Sequence, residues 1–271
     1  MIGAIIGDTA GSTYEFANVK TKDFPLFAPR SSYTDDSIMT IAVGSALLRA
    51  SEKSMDFSGA VVHEMRQLGR AYPSPMGGYG TGFQVWLLSA KPEPYGSYGN
   101  GSAMRASPCG EIAKTLEEAL CLARQSAEVT HNHPDGIRGA QAVAAAVYLA
   151  RSGESKEAIR RYIDANFYPL TETVAQIRPE YAFESSCRRT VPQAITAFLE
   201  SENFEDAIRT AVSLGGDSDT LTCITGSVAW AFYARRGLDE RMRVLRNRAM
   251  ELLPPDLREV VDRWERRFGQ I

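Results

Sequence analysis

Two short acidic clusters hold most of the chemistry in this sequence. Thr34-Asp35-Asp36-Ser37 lies towards one end of the chain and Gly215-Gly216-Asp217-Ser218-Asp219-Thr220 towards the other, each directly before a strongly apolar helical stretch. One carboxylate at a helix start is an ordinary cap, because it satisfies free N–H groups and suits the helix dipole. Two at one start, repeated in a second cluster, repel one another unless a cation offsets their charge. If the clusters meet in space, four carboxylates and the hydroxyls of Thr34 and Thr220 make an all-oxygen site. Hard Mg²⁺ or Mn²⁺ ions suit such ligands, and two ions about 3.5–4 Å apart could share bridging carboxylates. Zinc would want more nitrogen or sulfur.

The glycine-rich segments fit no standard nucleotide motif. Gly77 to Gly82 has the G-x-x-x-x-G spacing, but Phe83-Gln84 follows where a phosphate loop needs lysine and a hydroxyl. Gly99-Asn100-Gly101-Ser102-Ala103-Met104 lacks the last glycine of the dinucleotide fingerprint, and no strand precedes it. What remains is Gly96-Ser97-Tyr98-Gly99-Asn100-Gly101, which offers close backbone approach, free N–H groups and an aromatic ring. Such a loop suits a pyrophosphate with its ribose or base; an ordinary tight connection is the alternative. Thr130-His131-Asn132-His133-Pro134-Asp135 has the H-x-H-x-D order of binuclear zinc sites, but only His63 remains elsewhere, too few histidines for such a centre. His131 therefore reads as a hydrogen-bond donor near a ligand or as a helix-start residue.

The elements that must position these residues read as helical almost throughout. Ile38, Ile41, Ala42, Ser45 and Leu48 form an i, i+3, i+4, i+7 stripe just after the first acidic cluster. Thr115-Leu116-Glu117-Glu118 is a capping box, Pro134 suits a first helical turn, and Gly153 stops an Ala-rich helix. Further stripes cover 57–68, 155–166, 190–200, 204–214, 219–235, 238–252 and 255–268. Three stretches break the pattern: Gly7 to Ser32, Tyr72 to Gly82 and Lys91 to Ser102. Long Gly/Pro/aromatic loops in a helical protein are more often functional than linking. No alternating strand, repeat or linker is visible, so the expected fold is all-α, one domain over residues 1–271 with ten or more helices.

Composition bounds the rest. The 271 residues are 44% hydrophobic and 23% charged, the globular average, with a net charge of −3, which argues against a generally basic nucleic-acid binder. No apolar run approaches the ~18 residues of a membrane helix, and the first residues lack the basic region of a signal peptide. The four cysteines include no C-x-x-C pair and read as buried, reduced thiols. The expected setting is cytoplasmic, with no membrane partner.

Taken in order, these pieces resemble the ADP-ribosylglycohydrolase family, the all-α enzymes that include dinitrogenase reductase-activating glycohydrolase and the ADP-ribosyl-acceptor hydrolases. The matching segments are Gly3-Ala4-Ile5-Ile6-Gly7-Asp8-Thr9-Ala10-Gly11 with Glu15, and Tyr33-Thr34-Asp35-Asp36-Ser37. Gly99-Asn100-Gly101-Ser102-Ala103-Met104-Arg105, Thr130-His131 and Gly215-Gly216-Asp217-Ser218-Asp219-Thr220 follow. Each motif is weak alone; together, in family order, they are specific. The resemblance implies two Mg²⁺ (or Mn²⁺) ions held by Thr34, Asp35, Asp36, Asp217, Asp219 and Thr220, with Glu15 beside them and the distal ribose of ADP-ribose at the metals. It places Gly96, Ser97, Tyr98, Gly99, Asn100 and Gly101 around the diphosphate and proximal ribose, and His131 near the adenosine end. The sequence departs from the family pattern at Ser37 and Ser218, where threonine is usual, and at Trp230-Ala231, where Gly-Ala is common.

The function this implies is metal-dependent hydrolysis of the bond from the distal ribose to an acceptor, releasing ADP-ribose. Glu15 and Asp36 are the candidates for general acid and base. The substrate would be an ADP-ribosylated protein or a small conjugate. Arginine, serine, another ADP-ribose, an acetyl ester and a nucleic-acid base all remain open as acceptors, and monomer is the expected state. Two other readings stay open: a metal-dependent phosphohydrolase cutting the pyrophosphate, and a catalytically silent ADP-ribose binder.

Overall fold

The computed structural model describes residues 1–53 and 55–269. Helical periodicity becomes helix along the chain: α1 (Ile2–Gly11), α2 (Asp35–Lys53), α3 (Phe57–Ala71), α4 (Thr81–Leu88), α5 (Gly101–Met104), α6 (Ser107–Ile112), α7 (Leu116–Glu128) and α8 (Pro134–Ser152). The second half continues as α9 (Lys156–Asn166), α10 (Val174–Glu180), α11 (Cys187–Leu199), α12 (Phe204–Val212), α13 (Ser218–Tyr233), α14 (Glu240–Leu252) and α15 (Pro255–Phe268). Among the described residues, extended pairing is confined to two isolated bridges, Thr34 with Met76 and Gly99 with Ser186. The fold is all-α, as its periodicity predicts.

Local chemistry sets most of the helix ends. The Ser155 and Asn203 side chains accept the backbone N–H groups of Ala158 and Asp206 at the starts of α9 and α12. Gly153 closes α8 in the left-handed region, at φ 97°. The capping box at Thr115 forms with one change: Thr115 accepts the Glu118 N–H, but the Glu118 carboxylate reaches the N–H of Lys114 rather than that of Thr115. The α8 interior, Ala142 to Val147, is buried on every side, so this helix runs through the core rather than along its surface.

The first expected break begins too early. Gly7 to Gly11 belong to α1, and the irregular segment starts only after the 3-10 turn Ser12–Tyr14. Glycine normally weakens a helix, but here packing decides. Gly3, Gly7 and Gly11 form one face of α1, and a Cβ there would lie 2.3, 2.0 and 2.4 Å from the carbonyl oxygens of Gly226, Thr222 and Ser218. Only bare backbone permits that approach. The pairing also fixes direction: α1 and α13 are antiparallel, and the end of α1 lies beside the start of α13. Cys121 is a second correction. It is exposed, whereas Cys109, Cys187 and Cys223 are buried; all four are free thiols.

Candidate active site

The ends of α1, α2 and α13 converge, and the convergence begins with Asp8. Its fully buried carboxylate, one turn from the end of α1, receives the Thr34 N–H at 2.9 Å, the Thr34 hydroxyl at 2.7 Å and the Ser37 N–H at 3.1 Å. The Ser37 hydroxyl donates to it as well. Asp8 thus caps α2 from another helix and fixes the turn that carries Asp35 and Asp36. The Asp36 carboxylate in turn accepts the Thr220 hydroxyl at 3.2 Å, tying α2 to α13. Asn100 Nδ2 donates to Asp217 at 2.7 Å.

Two carboxylate trios result: Asp8, Asp36 and Asp219, and Glu15, Asp217 and Asp219. In each, the potential ligand oxygens lie within 4.8 Å of one another. Asp219 belongs to both. Burial pushes Asp36 and Asp219 well above the usual carboxylate range, with Asp8 and Asp35 adding to the first and Asp217 and Asp36 to the second. Asp35 is likewise raised, by burial and then by Asp8 and Asp217. Glu15 is raised to about 7 by burial and the charges of Asp217 and Asp8. Asp8 rises to about 6, burial outweighing its hydrogen bonds. Among the described residues, Glu15 Oε2 and Asp36 Oδ1 are buried and have no hydrogen-bond partner. Oxygen donors with unused lone pairs, crowded against their own repulsion, fit hard divalent cations.

This cluster forms one end of a cavity of about 390 Å³. The bridge between Thr34 and Met76 draws the Gly77 loop over the acids, and a Cβ at Gly77 (φ 78°) would sit 2.9 Å from Glu15 Oε2. At the other end the cavity is lined by Tyr95, Ser97, Gly99, Asn100, Gly101, Arg105 and His131. Here the loop is pinned by backbone pairing with the start of α11, through Asn100 N–H to Ser185 O at 2.7 Å and Cys187 N–H to Tyr98 O at 3.0 Å. Asn132 accepts the Gly96 N–H at 2.8 Å.

The sequence profile of the ADP-ribosylglycohydrolase family matches residues 1–269. The chain belongs to this family. It is therefore a hydrolase of ADP-ribosyl glycosidic bonds. The ADP-ribosylarginine hydrolase Tri1 of Pseudomonas putida (strain GB-1) is 25% identical over 88% of this chain and 70% of its own length. The ADP-ribosylhydrolase ARH3 of Homo sapiens is 26% identical over 89% and 85%. Among solved structures, an ADP-ribosylglycohydrolase-related protein complex superposes with a TM-score of 0.71 at 22% identity, covering 99% of this chain and 95% of its own, a likeness of fold.

Against this family background, the structure places the predicted residues unevenly. Glu15, Asp35, Asp36, Asp217, Asp219 and Thr220 all line the cavity. Thr34 lies buried behind them with its hydroxyl turned to Asp8, and Asp35 lies outside both carboxylate trios. Ser97, Gly99, Asn100, Gly101 and His131 line the other end, but Gly96 and Tyr98 do not. Tyr98 is exposed and packs its ring on His133. Sequence reasoning gave Asp8 no role beyond its place in a family motif, because the groups that define its role, Thr34 and Ser37, lie 26 and 29 residues away. It also passed over Asn18, which accepts the Gly216 N–H at 2.7 Å and donates to the carbonyl of Glu15 at 2.9 Å. Asn18 thereby clamps Glu15 to the turn before Asp217. Arg105 and Thr130 carry no role in the sequence beyond their place in the family motifs. Among the described residues no helix is long and apolar enough to cross a membrane.

Proposed function

We propose that this chain is a divalent-metal-dependent ADP-ribosyl hydrolase that cleaves the bond between the distal ribose of ADP-ribose and a protein side chain, arginine or serine, releasing ADP-ribose. The observation that carries the metal requirement is the pair of buried, unpartnered oxygens, Glu15 Oε2 and Asp36 Oδ1, within the carboxylate cluster. Thr34, Asp35, Asp36, Asp217, Asp219 and Thr220 would hold two Mg²⁺ or Mn²⁺ ions, with Asp8 and Glu15 close against them. When bound, such ions supply charge neutralisation for the cluster, orientation of ribose hydroxyls and a lowered pKa for water at the site.

The chain's own residues do the rest. The pinned loop from Ser97 to Gly101 holds the diphosphate end of the ligand, and Asn100 Nδ2 ties that loop to Asp217 of the acidic cluster. Bond cleavage at the ribose C1 develops oxocarbenium character, so it needs a carboxylate to take a proton from the attacking water or give one to the leaving atom. Glu15 and Asp36 both face the cavity with a free oxygen. A carboxyl group with an oxygen open to the cavity has the geometry for either role. The fixed backbone and Asn18 clamp keep Glu15 in register with Asp217, so little reorganisation is asked of the site.

The test is mass spectrometry of an ADP-ribosyl-arginine peptide and a serine-linked counterpart, each incubated with the protein in Mg²⁺ and in EDTA. Free ADP-ribose formed only with metal is the expected result, and the faster substrate names the acceptor. AMP with a ribose 5-phosphate product would move the chemistry to phosphorus. Ligand binding without any product would leave a silent binder.

A further inference from the structure

Arg105 is a buried cation without an acidic partner. It is 1% exposed, and among the described residues no carboxylate lies within ion-pair distance of it. Its guanidinium donates instead to three uncharged acceptors: the carbonyl of Gly101, the carbonyl of Ser126 at 3.2 Å, and the Thr130 hydroxyl at 2.8 Å. Burying a guanidinium this way is costly, so its placement calls for a compensating role.

That role follows from hydrogen-bond direction. A guanidinium can only donate, so one lone pair of Thr130 Oγ1 is committed to Arg105. Thr130 is fully buried, and its hydroxyl has one other neighbour in reach among the described residues, His131 Nδ1 at 2.7 Å. The Thr130 proton has nowhere else to go, so Nδ1 is the acceptor. The ring then carries its proton on Nε2. Nε2 points to the cavity: it lies 3.6 and 3.4 Å from where side chains would begin at Gly99 and Gly101, two cavity-lining glycines that leave it uncovered. Burial and the Arg105 charge also hold His131 well below the ordinary histidine pKa.

We propose that Arg105 and Thr130 are positioning residues that lock His131 as a neutral imidazole with its proton on Nε2, so that the cavity presents one oriented hydrogen-bond donor to an acceptor oxygen of the ligand. The tautomer assignment stands on this chain alone; the donor role towards ADP-ribose rests on the function proposed above. Ring polarity, rather than charge, is what this device controls. An imidazolium would present the same donor but would place a second cation beside Arg105.

The experiment reads the tautomer directly, from ring ¹⁵N shifts of His131 at neutral pH, together with ADP-ribose affinity by calorimetry. The wild-type protein should show Nε2–H and a bare Nδ1. Thr130→Val, which keeps the shape and removes the hydroxyl, should lose the Nε2–H preference and weaken ADP-ribose binding about tenfold, the value of one lost hydrogen bond. Thr130→Ser should restore both. Arg105→Met should also loosen the tautomer, and if it does not fold the Thr130 pair decides. A wild-type His131 found as Nδ1–H or as an imidazolium overturns the proposal. So does a Thr130→Val protein with unchanged tautomer and affinity. Failure of the wild-type protein to bind ADP-ribose would sink the functional reading, while the ring shifts would still decide the tautomer.

Discussion

Gly7 of α1 rests on the carbonyl of Thr222 in α13 so closely that a methyl group on Gly7 would lie 2.0 Å from the oxygen. This contact, repeated a turn either side, brings Asp8 and Glu15 to Asp217 and Asp219. A stability change here should therefore also be a change in the site.

Gly7→Ala is expected to lose about 1–3 kcal/mol of stability by overpacking against backbone that cannot move aside. Urea unfolding of the metal-free protein measures it. Gly59→Ala is the control, since a Cβ there meets only Asp56 Oδ2 at 3.6 Å; it should be neutral or slightly stabilising. Equal effects of the two would show that the α1–α13 contact is not as tight as described.

Asp219 belongs to both carboxylate trios, so Asp219→Asn should weaken divalent-ion binding more than substitution of a carboxylate that sits in one trio only. Asp36→Asn is expected to cut turnover by roughly a thousandfold or more while leaving the helical circular dichroism unchanged. Calorimetric Mg²⁺ titration and steady-state kinetics are the checks. Near wild-type turnover would remove Asp36 from the mechanism.

The metal-free protein should be stabilised by mild acid. The folded-state values of Asp8, about 6, and Glu15, about 7, exceed their ordinary 3.8 and 4.5. Groups with raised values bind protons more tightly in the folded state, so their contribution is present at low pH and is lost as pH rises through 6 to 7. Thermal melts in EDTA should therefore show a melting temperature that falls from pH 5 to pH 8. Added Mg²⁺ should raise it most at pH 8, where the cluster is most fully charged.

Glu15→Gln keeps the size of the side chain but cannot take up or release a proton. About a hundredfold to ten-thousandfold loss in kcat is expected, with ADP-ribose affinity little changed, the pattern of a lost general acid or base. The pH–rate profile should lose one limb. A loss confined to KM would reassign Glu15 to binding.

Asn18 and Asp8 show how much of the site was hidden in the sequence. The acidic pairs at 35–36 and 217–219 were visible because two carboxylates at one helix start exceed what capping needs, and the Gly-rich loop because its spacing fits close backbone approach. Neither Asn18 nor Asp8 stands out locally. Their roles are made by partners about 200 and 26 residues away, Gly216 and Thr34, and no local pattern encodes a partner at that separation. Tyr98 is legible only as a family motif letter; in the structure its ring is exposed and packs edge-on against His133.

The sequence by itself determined most of the helices, since apolar periodicity and capping residues act over a few residues; the glycine-bearing end of α1 is helical through its packing on α13. It also determined the donor types, oxygen-rich at both acidic clusters and poor in histidine. The fold alone decided which donors meet. Helices α1 and α13 pack backbone to backbone because Gly3, Gly7 and Gly11 share one face of α1, and their antiparallel sense sets Glu15 beside Asp217. The resulting burial raises the carboxylates, which is a property of the shared desolvated space and of no single residue.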